Sequence, residues 1–328
     1  MHVTVTGAGG FLGKRLIHQL LQRGTIIDSA GKPQPITKVI ACDLSLAGLP
    51  DDPRIERVEA DVCDPAIISR IISPQTRAVF HLAAVVSLGA EEDFELGMRV
   101  NLDTTRSMLD ICRKVAKGAS FLFASSAAVY GGEMPPVIED GLALTPQTSY
   151  GTQKAICEML ISDYSRRGFV DGRALRLPTV VVRPGRPNKA ASTFASSIIR
   201  EPLEGREVIC PVPPDTAMAL ISPRKVIEAF IHAQTIPAAN WGFSRAVQLP
   251  AFTLTIRQML AALEEVAGPS VAKRVRFEPD PRIEKIVYGW PTAFRSARAQ
   301  RLGFTTDTAM QDVIRAFIAD DLNGKFVA

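Results

Sequence analysis

The sequence predicts an α/β protein built on a doubly wound parallel sheet, with a smaller C-terminal portion attached. Three observations predict it. Short apolar or β-branched runs alternate with segments of helical periodicity across residues 1–178, with no hairpin signals between them. A glycine-rich turn between Gly7 and Gly13 joins the first run to the first helical segment. At 328 residues, 46% hydrophobic and 22% charged, the chain has apolar material for one large domain or two of ordinary size.

The opening stretch is VTVTGAGGFLGKRLIHQL, residues 3–20. Val3–Thr6 reads as a buried strand, and Leu12, Leu16, Leu20 and Leu21 then recur at helical spacing. Gly7 lets the chain turn sharply out of the strand. Gly10 has no Cβ, so a diphosphate can approach the backbone, and Gly13 lets the helix pack closely on the sheet. The helix N-terminus offers free N–H groups and the positive end of its dipole to phosphates. Strand, glycine turn and helix in this order are the Rossmann-type context for a dinucleotide.

Residues 25–37, with Gly31, Pro33 and Pro35, read as a loop, and the second strand, Lys38–Cys42, ends in Asp43. An acidic residue there accepts the hydroxyls of an adenosine ribose and repels the extra phosphate of NADP, which predicts NAD as the cofactor. A third strand runs from Glu56 to Asp61-Val62, where a carboxylate can meet the adenine amino group. Residues 65–73 suit a helix. The fourth strand, 78–84, runs through Leu82 into Ala83 and Ala84, whose small side chains leave room for a ligand. His81 is read as packed beneath that loop. A long helical stretch over 91–116 carries Asn101, a poor helix former, in its middle, where it implies a polar role such as holding a neighbouring backbone. The fifth strand, 119–124, delivers Ser125 and Ser126 to the carboxyl edge of the sheet, where ligands bind in such folds.

Tyr150 and Lys154 follow at i, i+4, after the helix-start signals Pro146 and Ser149. A helix over 150–166 projects both side chains from one face. A tyrosine titrates near pH ~10, and a nearby ammonium favours its phenolate, making Tyr150 a base usable near neutral pH.

Together TGAGGFLG at 6–13, Asp43, Asp61-Val62, HLAA at 81–84, SSAAVYG at 125–131 and YGTQK at 150–154 resemble the extended short-chain dehydrogenase/reductase superfamily, in particular its NAD-dependent epimerase/dehydratase branch. The resemblance implies a catalytic set of Ser126, Tyr150 and Lys154. Tyr150 exchanges a proton with a substrate hydroxyl, Ser126 hydrogen-bonds the same oxygen, and Lys154 lowers the pKa of Tyr150 and binds the nicotinamide ribose. It also implies NAD contacts from Gly7, Gly10, Phe11, Leu12, Gly13, Asp43, Asp61, Val62, Leu82, Ala83, Ala84, Asn101, Tyr150, Lys154 and Pro178. Residues 1–178, with a strand returning near 241–249, form the NAD-binding domain; residues 179–240 and 250–328 form the substrate-binding portion.

Nucleotide-sugar enzymes of this branch carry an asparagine after the sixth strand, Gly172–Leu177; here Pro178-Thr179 stands in its place. The following stretch brings Arg183, Arg186 and Lys189 together with Asn188, Ser192 and Ser196, ahead of a helix over 191–200. Read functionally, this is a small polar pocket with cations for a carboxylate; read plainly, it is a solvated basic loop. The stretch resembles members of the branch that oxidise the 2-hydroxyl of a four-carbon sugar acid. That resemblance points to Thr179, Arg186, Asn188 and Ser192, beside Ser126 and Tyr150, as substrate contacts. A nucleotide-sugar epimerase or dehydratase is the alternative, and a non-catalytic NAD sensor a third reading. Val247–Leu249 reads as a strand returning to the sheet, and 253–267 and 308–322 as helices opened by threonines.

The net charge is +4 with the basic residues scattered, which argues against nucleic acid or a membrane surface as partner. Cys42, Cys63, Cys112, Cys157 and Cys210 lie far apart, and the four histidines show no ligand spacing. Neither a disulfide framework nor a metal site is expected, and a cytoplasmic enzyme acting on a small molecule fits best. The first strand begins at residue 3, so no signal peptide is read, and no apolar run approaches the ~20 residues of a membrane span. A homodimer through the 91–116 and 150–166 helices is the assembly the resemblance implies.

Overall fold

The computed structural model describes residues 1–28, 30–185 and 191–328. Its centre is a seven-stranded parallel sheet made by β1 (His2–Thr6), β2 (Lys38–Asp43), β3 (Ile55–Glu59), β4 (Thr76–His81), β5 (Ser120–Ser126), β6 (Asp171–Leu177) and β7 (Ala246–Gln248). The strand order is β7-β6-β5-β4-β1-β2-β3, and every neighbouring pair is parallel. The order reverses beside β1, and in such sheets ligands bind outside the carboxyl ends at that crevice.

β1 has neighbours on both sides and is covered on both faces, which is why its side chains run apolar or β-branched without alternation. Val3, Thr4, Val5 and Thr6 are all fully buried. The two threonines are satisfied: Thr4 Oγ1 donates to Ile71 O at 2.6 Å, and Thr6 Oγ1 bonds His81 Nδ1 at 2.6 Å. Helix α1 (Phe11–Arg23) buries Leu16, Ile17, Leu20 and Leu21 against one face of the sheet. Helices α2 (Pro65–Ile71), α3 (Thr104–Val115) and α4 (Ser149–Arg166) cover the other. A fifth long helix, α5 (Thr193–Leu203), lies beyond β6, and α6 (Pro223–Thr235) packs beside α1.

Several boundaries differ from the sequence reading. β3 stops at Glu59, paired with Asp43, because the chain turns at Asp61, whose Oδ1 accepts the Cys63 N–H at 2.9 Å. β4 ends at His81, leaving Leu82–Ala84 as a connection. The stretch 91–116 is not one helix. Short turns at Ser87–Glu92 and Phe94–Gly97 lead into a π-helical turn, Met98–Asp103, before α3. Residues 25–37 contain a small antiparallel pair, Thr25–Ile27 with Pro33–Pro35.

Beyond β6, Thr179–Val180 pairs in parallel with Ala217–Ile221, which pairs antiparallel with Phe252–Thr255. That last strand displaces the start of helix α7 to Ile256–Ala267, with Thr255 and Gln258 forming its capping box. Helices α5, α7 and α8 (Met310–Asp321) close a second apolar cluster that includes Ile198, Met218, Ile256 and Phe317. The cap of α8 is Ala309, not the expected threonine. Among the described residues no helix is long and apolar enough to cross a membrane, and no cluster of three acidic, histidine or cysteine side chains could hold a metal.

Candidate active site

The glycine turn leaves β1 and enters α1 at the carboxyl edge of the sheet. Gly7 has φ +69°, and a Cβ there would sit 2.7 Å from the backbone nitrogen of Ala83. A Cβ on Gly13 would lie 2.1 Å from Gly7 O, so only glycine lets α1 pack here. Gly9, which the sequence reading passed over, is tighter still: a Cβ there would overlap the Ser45 carbonyl oxygen at 1.8 Å. The Gly9 N–H donates to Asp43 Oδ2 at 2.9 Å, and the Leu44 N–H to Asp43 Oδ1 at 2.7 Å. Asp43 is therefore tied to the glycine turn. Helix α1 starts from Gly10 with no capping side chain and no acidic residue in its first turn. Its first N–H groups are left without a capping partner, the condition under which a helix end takes an anion.

His81 is buried between Thr6 and Thr105, with Nε2 3.0 Å from Thr105 Oγ1, and burial pushes its pKa down to about 3. It is a packed, neutral ring. Asn101, in the π-helical turn, holds Val85 by both backbone groups: Val85 N–H donates to its Oδ1 at 2.9 Å and its Nδ2 donates to Val85 O at 3.0 Å. A further bond from Nδ2 to Gln153 Oε1 at 2.7 Å ties that turn to α4. Asn101 thus fixes the chain just past Leu82–Ala84. Asp61 and Val62 lie at the outer end of β3, with Asp61 exposed and Val62 buried.

A cavity of about 300 Å³ opens where β4, β5 and β6 end. Of the expected residues it is lined by Phe11, Leu12, Leu82, Ala84, Ser126, Tyr150, Lys154, Pro178, Thr179 and Ser192. Among the described residues no acidic side chain lines it, and Lys154 and Arg183 are its cations. Arg186 and Asn188 lie outside the described residues. Trp290, Pro291 and Phe294 form a further wall that the sequence reading did not assign. They arrive through a parallel pairing of Phe294–Arg295 with Ile138–Glu139, a contact between segments far apart in the chain.

Tyr150 and Lys154 stand in the first turns of α4, capped by Thr148, whose Oγ1 accepts the Gly151 N–H at 3.0 Å. Gly151 brings this end of the helix against the turn after Ser126; a Cβ there would be 2.1 Å from Ala128 O. The close approach sets Tyr150 beside Ser126. Burial pushes the Tyr150 phenol above its ordinary value, while hydrogen bonding from Ser126 and the positive charge of Arg183 pull it down. Lys154 is 1% exposed, and burial lowers its ammonium to about 8. Its Nζ lies 4.4 Å from the Phe123 ring centre and 5.6 Å from that of Tyr150, with no hydrogen-bond partner among the described residues. Arg183 thus joins Lys154, whose Nζ faces the same ring, as a cation beside the Tyr150 phenol, a role the sequence reading did not give it. Burial weakens the Lys154 ammonium, whereas a guanidinium stays charged.

Arg183 is held firmly. Its backbone N–H donates to Ser196 Oγ at 3.0 Å, and its carbonyl accepts from Arg200 Nη1 at 2.7 Å. Its Nε donates to Val180 O at 2.9 Å and its Nη2 to Ser192 Oγ at 2.8 Å. One turn past Lys154, Glu158 accepts from Ser125 Oγ at 2.5 Å and from Arg176 Nη2 at 2.7 Å, and Arg176 Nη1 donates to the Tyr130 hydroxyl at 2.6 Å.

Comparison with known proteins agrees with this geometry. The family model described as the NAD dependent epimerase/dehydratase family matches residues 3–240. A D-erythronate dehydrogenase of Cupriavidus necator is 51% identical over 320 residues, covering 98% of both chains. A D-erythronate dehydrogenase of Haemophilus influenzae is 44% identical over 323 residues, covering 98% of this chain and all of that one. Among solved structures, one described as a nucleoside-diphosphate-sugar epimerase from Agrobacterium tumefaciens superposes with a TM-score of 0.90 at 38% identity, covering 99% of this chain and 95% of that one.

Proposed function

Because the chain belongs to the NAD-dependent epimerase/dehydratase family, we propose that it is a dehydrogenase that oxidises the 2-hydroxyl of a small sugar acid, D-erythronate to 2-oxo-tetronate, with NAD. The observation that carries this reading is its identity along essentially the full length of two D-erythronate dehydrogenases. The pocket agrees with it: about 300 Å³, with two cations and no acidic side chain among the described residues, it suits a small anion.

The residues present fit NAD. The uncapped start of α1 at Phe11 and Leu12 suits a diphosphate, Asp43 at the end of β2 suits two ribose hydroxyls, and the buried, unbonded Lys154 ammonium suits a ribose beside Tyr150. Gly7, Gly10 and Gly13 keep the turn open to the ligand. Asp61 and Val62 border the adenine end, Leu82–Ala84 with Asn101 behind them line the middle, and Pro178 closes the nicotinamide end. Bound NAD supplies the hydride acceptor.

Tyr150 is the base. Its phenolate oxygen, with Ser126 beside it and a cation in the same pocket, accepts the proton of the substrate hydroxyl and becomes the phenol as the hydride leaves for NAD. Ser126 hydrogen-bonds the same oxygen, which becomes the carbonyl oxygen of the product. Thr179 and Ser192 border the substrate, and Arg186 and Asn188 complete the proposed set. Residues 179–240 and 250–328 hold the substrate, and residues 1–178 with the returning strand hold NAD. The exposed apolar side chains of Phe94 and Met159, on the segments before α3 and along α4, suit a homodimer interface. A cytoplasmic setting goes with this reading.

The test is NADH formation, followed by absorbance, across a panel of four- to six-carbon aldonates, with D-erythronate the best substrate. No turnover of any aldonate, with tight calorimetric binding of a nucleotide sugar, would replace this reading by the epimerase one. That second reading rests on the description of the Agrobacterium relative; against it, Pro178-Thr179 occupies the place of the expected asparagine.

A further inference from the structure

We infer that Arg183 is the residue that holds the substrate carboxylate, so that it selects acids over neutral polyols and directs oxidation to the carbon next to the acid group. The inference deepens the sugar-acid reading above and rests on it. A guanidinium carries five N–H donors in a planar fork. At Arg183, Nε is used on Val180 O and one Nη2 donor on Ser192 Oγ. No other hydrogen bond and no acidic partner engages the group among the described residues. Yet it lines the pocket, and burial disfavours its charge. Arg183 is partly buried, and desolvating a charge without a counter-ion is costly, a cost that a bound anion would offset. Both Nη1 donors and the second Nη2 donor remain, and Nη1 with Nη2 forms the end of the fork that takes a carboxylate by two parallel N–H bonds. Both backbone groups of Arg183 are clamped by α5, through Ser196 and Arg200, so the fork is positioned before substrate arrives.

Lys154, the other cation of the pocket, sits over Phe123 and Tyr150 on the side assigned to the cofactor. Arg183 lines the same cavity as Tyr150, and its charge acts on the Tyr150 phenol. An acid held there by its carboxylate places its first carbinol beside Tyr150. Arg183 thus has two effects: it binds the anion, and its charge favours the phenolate of Tyr150.

The experiment compares Arg183→Gln and Arg183→Lys with the wild-type enzyme. Three readouts are used: steady-state kinetics on D-erythronate and its amide, the pH profile of kcat, and calorimetric binding of glycolate to the NADH-loaded protein. With Arg183→Gln, KM for the acid is expected to rise about a hundredfold, the usual scale for removing one partner of a buried charge pair. KM for the amide stays within a few-fold, and the acidic limb of the pH profile, where Tyr150 must be deprotonated, moves to higher pH. Arg183→Lys recovers part of the loss, since a point charge replaces the fork. NADH binding is unchanged in both variants, which shows that they fold. An active wild type whose Arg183→Gln variant keeps its KM for the acid within threefold would overturn the inference and leave the proposed function standing. A wild type that oxidises no aldonate but binds glycolate only while Arg183 is present would overturn the function and leave the anion site. Glycolate binding unaffected by either substitution would overturn the inference whatever the substrate proves to be.

Discussion

Replacing Glu158 with glutamine tests how far the active site depends on a buried ion pair behind it. Glu158 is 3% exposed and its partner side chain, Arg176, 14% exposed, with Nη2 and Oε2 2.7 Å apart. The carboxylate also receives Arg176 Nε at 3.0 and 3.1 Å and the Ser125 hydroxyl. Removing one partner of such a pair leaves an uncompensated buried charge and costs about 3–5 kcal/mol. Glutamine keeps one acceptor oxygen, so the lower end, about 3 kcal/mol, is expected. At an m-value of roughly 3 kcal/mol/M this is a fall of about 1 M in the urea midpoint.

The same substitution reaches the chemistry. Glu158 lies one helical turn from Lys154, and its charge helps to keep that ammonium protonated. Losing it moves the Lys154 titration below its present value of about 8. The limb of the kcat pH profile that follows Lys154 shifts to lower pH. Urea unfolding followed by circular dichroism, and pH profiles of NADH formation, are the assays. A double replacement, Glu158→Leu with Arg176→Met, should recover much of the stability, since an apolar pair of similar volume often matches a buried ion pair. A urea midpoint within about 0.2 M of wild type for Glu158→Gln would refute the reasoning, because it would mean that Arg176 is not held by this carboxylate.

Tyr150→Phe should lower kcat by about 10²–10⁴-fold while NADH binding, followed by fluorescence, stays within a few-fold; retained turnover would remove Tyr150 as the base. Asp43→Asn should raise the ratio of NADP to NAD efficiency and weaken NAD, since Asp43 also receives the Gly9 N–H; an unchanged ratio would show that another group selects the cofactor. Gly9→Ala should weaken both cofactors and lower the melting temperature, because its methyl group would displace the Ser45 carbonyl. His81 should make stability fall in acid. Its folded pKa of about 3 lies below the unfolded value near 6.5, so from pH 6.5 downward the unfolded chain binds a proton that the folded one refuses. That is a slope of about 1.4 kcal/mol per pH unit, absent below the folded pKa. Unfolding midpoints from pH 7 to 4 in wild type and His81→Gln measure it, and equal slopes would refute it.

The parts of this molecule legible in its sequence are those whose physics is local. The β-branched run before Gly7, the glycine spacing and the aspartate at the end of β2 are each determined within one strand–turn–helix unit. They place the turn, the helix and Asp43 at one edge of the sheet. Tyr150 and Lys154 share a helix face by periodicity alone. What escaped reading depends on contacts between distant segments. Gly9 looks like a spare glycine until Ser45, 36 residues away, is seen against it. The break in the 91–116 stretch comes from Asn101, which spends its side chain on Val85 and Gln153, and the chain opens into a π-helical turn around it. The strand at Phe252–Thr255 reads as the start of a helix because only its pairing with Ala217–Ile221 makes it a strand.

Arg183 belongs to both groups, and this decides how the site is divided. Its sequence neighbourhood marks it as one of several cations after β6, with nothing local to rank it above the others. The fold ranks it: Ser196 and Arg200 fix its backbone, Val180 and Ser192 take part of its fork, and the remainder is left in the pocket with Tyr150. The residues proposed for the redox chemistry come from motifs spaced within the first half of the chain. The residue inferred to recognise the acid is positioned by a helix that begins beyond that half. Substrate choice can therefore change by altering how α5 holds the segment after β6, with the glycine turn, Asp43 and the Ser126–Tyr150–Lys154 set left as they are.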